Sequence, residues 1–123
     1  MNQPVDRQPL CRIEDLSDPG SRGVEFLRDG ERVSAFVVLR DGVWRAYENR
    51  CPHTGAPLDW VEHQFLDADG ALIQCAVHDA RFDIDEGVCL AGPCPGARLT
   101  PLPIELCEGV VWLSGQGSER CQP

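Results

Sequence analysis

Five short segments set the scale on which this chain can fold: RDGER (28–32), RDGVW (40–44), DADG (67–70), DEGV (85–88) and CEGV (107–110). Each puts a glycine directly after an acidic residue. Glycine has no Cβ and enters φ > 0 without a clash, and aspartate before it favours a tight reversal. The chain therefore reverses at short intervals and leaves little room for long helices. The segments SAFVVLR and VWRAY flank Asp41-Gly42, a strong hairpin signal. RFDID alternates, and so do PLPIEL and VVWL across Glu108-Gly109, as strands with one buried face do. One helix candidate remains, PLDWVEHQFL (57–66), with Leu58, Val61, Phe65 and Leu66 roughly on one face. No repeat or internal boundary is visible. The expectation is one all-β domain of antiparallel hairpins over residues 1–114, followed by a frayed polar tail at 115–123.

Composition narrows the function classes. A length of 123 residues suits one compact domain, and 42% hydrophobic residues permit a small core. The formal net charge of −9 offers nothing to offset phosphate repulsion, which excludes nucleic acid as a partner. No segment is long and apolar enough to serve as a signal peptide or to span a bilayer. The expected location is the cytoplasm, with no membrane association. Seven cysteines are many for this length, and a reducing compartment argues against a disulfide framework. Some are expected as metal ligands, and Cys11, Cys89, Cys107 and Cys121 as ordinary thiols.

The chemistry concentrates in two mixed pairs. Cys51 and His53 stand one residue apart in NRCPHTGAPLDW (49–60), and Cys75 and His78 stand in CAVH (75–78). Each pair offers one sulfur and one nitrogen, and Gly55 and Pro57 supply a tight turn after the first. A zinc finger with two cysteine and two histidine ligands usually presents both cysteines in one knuckle and both histidines in the next. Mixed knuckles instead suit a binuclear centre in which the thiolates share one iron and the imidazoles the other. A mononuclear zinc site is the competing reading. Trp44, Trp60 and Trp112 read as packing residues, and His63 as a surface histidine.

CPHTGAPL and CAVH, with GPCPG (92–96) downstream, resemble the ligand loops of the Rieske 2Fe–2S family. The resemblance runs from SAFVVLRDGVWRAY to VVWL. It implies stacked antiparallel sheets, with two cluster-binding loops at one end (about 49–60 and 74–82) and a proline-rich covering loop (91–96). It also implies that Cys51 and Cys75 hold the inner iron of one 2Fe–2S cluster, and His53 and His78 the outer one. Two ferric ions, two sulfides and two thiolates sum to zero charge. Exchanging two thiolates of a four-cysteine cluster for neutral imidazoles therefore eases reduction and raises the potential.

This sequence departs from the family pattern in several places. The segment between the pairs is longer than in most relatives. Respiratory-complex members carry a disulfide between the ligand loops, and the matching positions here are Ala56 and Val77. Hydroxyl donors to the cluster sulfurs are replaced by Ala80 and Phe82, and Asp79 stands where glycine is usual. These features resemble the low-potential, ferredoxin-like branch.

The resemblance implies an electron carrier between a reductase and an acceptor such as an oxygenase. It does not imply an enzyme in its own right. A non-heme oxygenase site needs two histidines and a carboxylate with open positions. Of three histidines in the chain, the resemblance assigns two to the cluster. The alternatives are a small subunit of a larger oxidoreductase, resembling that of nitrite reductase, and a degenerate domain without a cluster. The partners expected are redox proteins.

Overall fold

The computed structural model describes residues 8–50, 52, 58, 65–67, 69–75, 80–92 and 96–114. Among them the chain is almost entirely β. The strands are β1 (Gln8–Arg12), β2 (Gly20–Arg28), β3 (Glu31–Arg40), β4 (Val43–Glu48), β5 (Ile73–Gln74), β6 (Arg81–Phe82), β7 (Cys89–Ala91), β8 (Ile104–Cys107) and β9 (Val110–Leu113). They form three antiparallel sheets of three strands each, ordered β1-β9-β8, β2-β3-β4 and β5-β6-β7. The expected stack of antiparallel sheets is thus the observed architecture. No helix among the described residues is long and apolar enough to cross a membrane.

The hairpins follow from the turn chemistry. Asp29-Gly30, Asp41-Gly42 and Glu108-Gly109 all have positive φ, at 54° and 81°, 52° and 78°, and 53° and 80°. Two successive residues at positive φ make the two-residue loop whose twist matches paired strands. The carboxylate of Asp18 accepts the backbone N–H groups of Asp41 (2.7 Å) and Gly42 (2.8 Å), which fastens the β3–β4 reversal. The β1–β9 pairing joins distant parts of the chain and breaks register between Pro9 and Cys11, next to a residue with no N–H for the ladder. The Gln8 side chain adds a rung of its own. Its amide donates to the Leu27 carbonyl and accepts from the Leu27 N–H, each at 2.8 Å.

Strand β3 divides the core. Residues 35–39 are all buried, because the strand is covered on both faces. Ala35, Val37 and Leu39 join Val24, Phe26 and Val111 in a core towards the β1-β9-β8 sheet. Phe36 and Val38 face the other way and meet Tyr47, Phe65, Ile73 and Phe82. There Phe36 stacks on Phe65 with ring centroids 4.3 Å apart and planes 7° from parallel. Burying side chains of this size contributes about 1.5–3 kcal/mol each.

Two expectations are modified. In RFDID only Arg81 and Phe82 are strand. The Asp83 carboxylate then accepts the N–H groups of Asp85 (2.6 Å) and Glu86 (3.2 Å) and turns the chain. The alternation survives in burial, since Phe82 and Ile84 are both inside. Of the helix candidate 57–66, only Leu58, Phe65 and Leu66 are described, and Leu66 forms an antiparallel bridge to Ile73. The expected tail at 115–123 lies outside the described residues.

Candidate metal centre

Three loops leave the β2-β3-β4 and β5-β6-β7 sheets, and each is closed at its base by hydrogen bonds. The first follows β4. Its start is tied to the sheets by Glu48 N–H to the Thr100 carbonyl and by Asn49 N–H to the Ser34 carbonyl, both 2.9 Å. Its far end returns where the Leu58 N–H donates to Asn49 Oδ1 at 2.7 Å. The second loop is the tip of the β5–β6 hairpin, where Ile73 pairs with Phe82 and Gln74 with Arg81. The Cys75 N–H continues that ladder to the Ala80 carbonyl at 2.8 Å. The third leaves β7 and is closed by Gly96 N–H to the Cys89 carbonyl (3.0 Å) and Cys89 N–H to the Ala97 carbonyl (2.8 Å).

The bases of these loops meet. Leu58, Cys75, Ala80 and Cys89 belong to one buried cluster with Phe36 and Phe82. Gly92, at φ 109°, lies so close to Ala80 that a Cβ on it would stand 2.6 Å from the Ala80 Cα. The covering loop therefore begins directly against the base of the second loop, and only glycine allows that approach.

Tyr47 braces the same region from β4. Its hydroxyl donates to the Ile84 carbonyl at 2.6 Å, and its ring lies against Gly87. Burial, helped by Asp83, Asp85 and Glu86 against an opposing Arg45, pushes its pKa up to about 12. The tyrosine thus stays a neutral donor at ordinary pH.

Of the four expected ligands, Cys75 is described. It is fully buried, and its backbone is fixed by the bond to Ala80. A buried cysteine at the root of a hairpin tip fits a thiolate ligand of an iron–sulfur centre. Cys51, His53 and His78 lie outside the described residues, as do Cys94, Cys121, His63 and Trp60. Ala80 and Phe82, which replace the hydroxyl donors, are both fully buried beside this thiol's cluster.

The other cysteines divide. Cys11 keeps its thiol, as expected, and the Cys89 thiol donates to the Ala91 carbonyl at 3.2 Å. Cys107, expected as an ordinary thiol, is disulfide-bonded. It stands half-buried at the end of β8, beside a hairpin turn, and not inside the core as Cys75 and Cys89 do. Trp44 packs against the core that faces β1-β9-β8, and the Trp112 indole N–H donates to the Cys107 carbonyl at 3.3 Å. The residue that sequence reasoning passed over is Asn49. Its signal was its type, since asparagine readily bonds nearby backbone groups with its side chain.

The bases of three loops thus meet on a stack of antiparallel sheets beside the buried Cys75, and the class of protein follows from the family comparison. Residues 6–106 match the Rieske [2Fe-2S] domain, and the chain belongs to that family. A curated relative is 29% identical over 105 residues, covering 85% of this chain and 90% of its own. It is the 3-phenylpropionate/cinnamic acid dioxygenase ferredoxin subunit of Photorhabdus laumondii. Among solved structures, a ferredoxin of Sphingomonas yanoikuyae B1 is similar with a TM-score of 0.69 and 26% identity, over 88% of this chain and 97% of that one. The ferredoxin of carbazole 1,9a-dioxygenase from Nocardioides aromaticivorans IC177 shares the fold, with a TM-score of 0.67 and 23% identity over 94% and 100% of the two chains.

Proposed function

We propose that this chain is a Rieske-type ferredoxin, a one-electron carrier between a reductase and an acceptor such as an oxygenase. The observation that carries this reading is the convergence of the three loop bases on Leu58, Cys75 and Ala80, with Gly92 against Ala80. Its similarity to the ferredoxin subunit of a dioxygenase supports the choice of partners. Cys51 and Cys75 would hold one iron of the cluster, and His53 and His78 the other. When bound, the cluster supplies a reversible one-electron couple. The chain's own residues would place it and shield it. The side chains of Leu58, Ala80 and Phe82, buried in one core with Cys75, would keep water from that ligand, and the third loop begins at Gly92 against Ala80. No second iron site can be assembled from the single remaining histidine, His63, so the domain passes electrons and does not itself oxygenate. The proposed location is the cytoplasm, which fractionation of the native host tests.

Metal analysis of the anaerobically purified protein is the direct test. Roughly two irons and two acid-labile sulfides per chain are expected, with a Rieske-type EPR signal after reduction. Cys51→Ser and Cys75→Ser should abolish the cluster, whereas Cys11→Ser and Cys89→Ser should leave it. With Ala80 and Phe82 in place of hydroxyl donors, the midpoint should fall near the lower end of a range from about −150 to +300 mV. One zinc and no sulfide would overturn the reading.

A further inference from the structure

Of the three loops, the second and third are closed by backbone bonds, whereas the first is closed by a side chain. Asn49 directs its amide in two directions at once. Oδ1 accepts the Leu58 N–H at 2.7 Å, and Nδ2 donates to the Ser34 hydroxyl at 3.1 Å. The Asn49 backbone N–H also donates to the Ser34 carbonyl, at 2.9 Å. One residue therefore joins both ends of the segment 50–57 and fastens them to β3. That segment contains Cys51 and His53. The Leu58 side chain, which follows the clasp, is fully buried in the same core as Cys75. Without the clasp, the Leu58 N–H would lose its acceptor beside that core, and the two ends of the segment would lose the side chain that joins them.

We propose that Asn49 is the positioning residue of the first metal loop. Through Leu58 and Ser34 it joins the two ends of the segment that carries Cys51 and His53 and ties them to β3. The proposal rests on the ferredoxin reading for the identity of the metal, but the clasp itself does not. An asparagine is suited to the task because its amide offers an acceptor and a donor on one short, stiff side chain. An aspartate would keep the acceptor for Leu58, and its second oxygen could accept from the Ser34 hydroxyl, which can turn to donate. A leucine of similar size would offer neither.

The test uses the holoprotein and the variants Asn49→Leu, Asn49→Asp and Ser34→Ala, with Gln8→Ala as a control. Gln8→Ala removes a comparable pair of bonds, those to Leu27, on the opposite edge of the β2-β3-β4 sheet. Two quantities are read: the rate of iron loss to a chelator, and hydrogen exchange at the Leu58 amide by NMR in the metal-depleted protein. In Asn49→Leu both should rise roughly tenfold or more, as expected when a buried donor loses its partner. Asn49→Asp should stay within about twofold of wild type. Ser34→Ala should lie between the two, and Gln8→Ala should leave iron loss unchanged. Equal iron loss in wild type and Asn49→Leu would overturn the proposal, as would a rise in Gln8→Ala as large as that in Asn49→Leu. Should Asn49→Leu give no folded protein, Ser34→Ala decides, and iron loss at the wild-type rate overturns it. A wild type holding zinc without sulfide would sink the ferredoxin reading alone, because Leu58 exchange still reports the clasp.

Discussion

The β2-β3-β4 sheet and the β5-β6-β7 sheet have the same number of strands and opposite economies. Their strands run 9, 10 and 6 residues in the first, and 2, 2 and 3 in the second. The first is held by long ladders and by cores on both faces of β3. The second has few ladder bonds of its own. Its order comes from contacts that reach in from elsewhere: Tyr47 to Ile84, Gly92 on Ala80, and the stacked Phe36 and Phe65 beneath. A small sheet of this kind gains much from a bound metal, whereas the long sheet does not need one. The difference teaches that the scaffold and the site are stabilised by separate means within one chain.

The widest separation between the two regions should appear on metal removal. Amides of β5, β6 and β7 should lose roughly a hundredfold in exchange protection, a factor worth about 2.7 kcal/mol of local stability. Those at the centre of β3 should change little. Hydrogen exchange of the holo and metal-depleted forms measures this, and equal loss in both sheets would erase the distinction. Next in size is a pair of glycine substitutions. Gly92→Ala forces a Cβ onto backbone at positive φ and should cost about 2–3 kcal/mol in urea unfolding. Gly30→Ala, also at positive φ but with open space around it, should cost about 1 kcal/mol.

Alkali sharpens the comparison further, because each core has its own titrating group. Burial, followed by Asp15, raises the Cys11 pKa from 9.0 to about 11, against a smaller opposing effect of Arg22. That of Tyr47, in the other core, rises from 10.0 to about 12. Both groups are kept protonated by the fold at pH values where the unfolded chain has lost the proton. Their stabilisation is complete below the unfolded value and is lost as pH rises through the folded one. Unfolding free energy should therefore fall between pH 9 and 11, by about 1 kcal/mol for the half-buried Cys11 after allowance for solvent screening. Cys11→Ala should remove that first decline and leave the later one, from pH 10 to 12, that belongs to Tyr47. Urea unfolding at a series of pH values checks both.

How much was legible in the sequence follows the same division. The hairpins at Asp41-Gly42 and Glu108-Gly109 were readable because two adjacent residues must take positive φ, and few sequences suit that. The doubly covered β3 showed itself as an unbroken apolar run. The expected ligands stood out because each has a chemical task at a fixed spacing, and of the four only Cys75 is among the described residues. Strand β5 was not readable, since two residues carry no period, and β6 was readable only as the start of the longer alternation RFDID. Leu58, Phe65 and Leu66 suggested a helix face by their spacing alone, which does not show that Leu66 bridges Ile73. The pairing of β1 with β9 has no local signal at all. Asn49 lay in plain view between β4 and Cys51, but nothing in the sequence shows that Leu58 returns to it.

The alternation of β3 side chains between two cores has a consequence for how this chain can change over time. Inserting or deleting one residue within β3 would exchange the contents of its two faces, sending Phe36 and Val38 into the space shaped for Ala35, Val37 and Leu39. The Asp18 carboxylate, anchored on the β3–β4 reversal, holds against such a slip from one end. Length variation is thereby barred from the middle of the molecule. Descendants of this chain can change its loops, but they inherit β3 at fixed length.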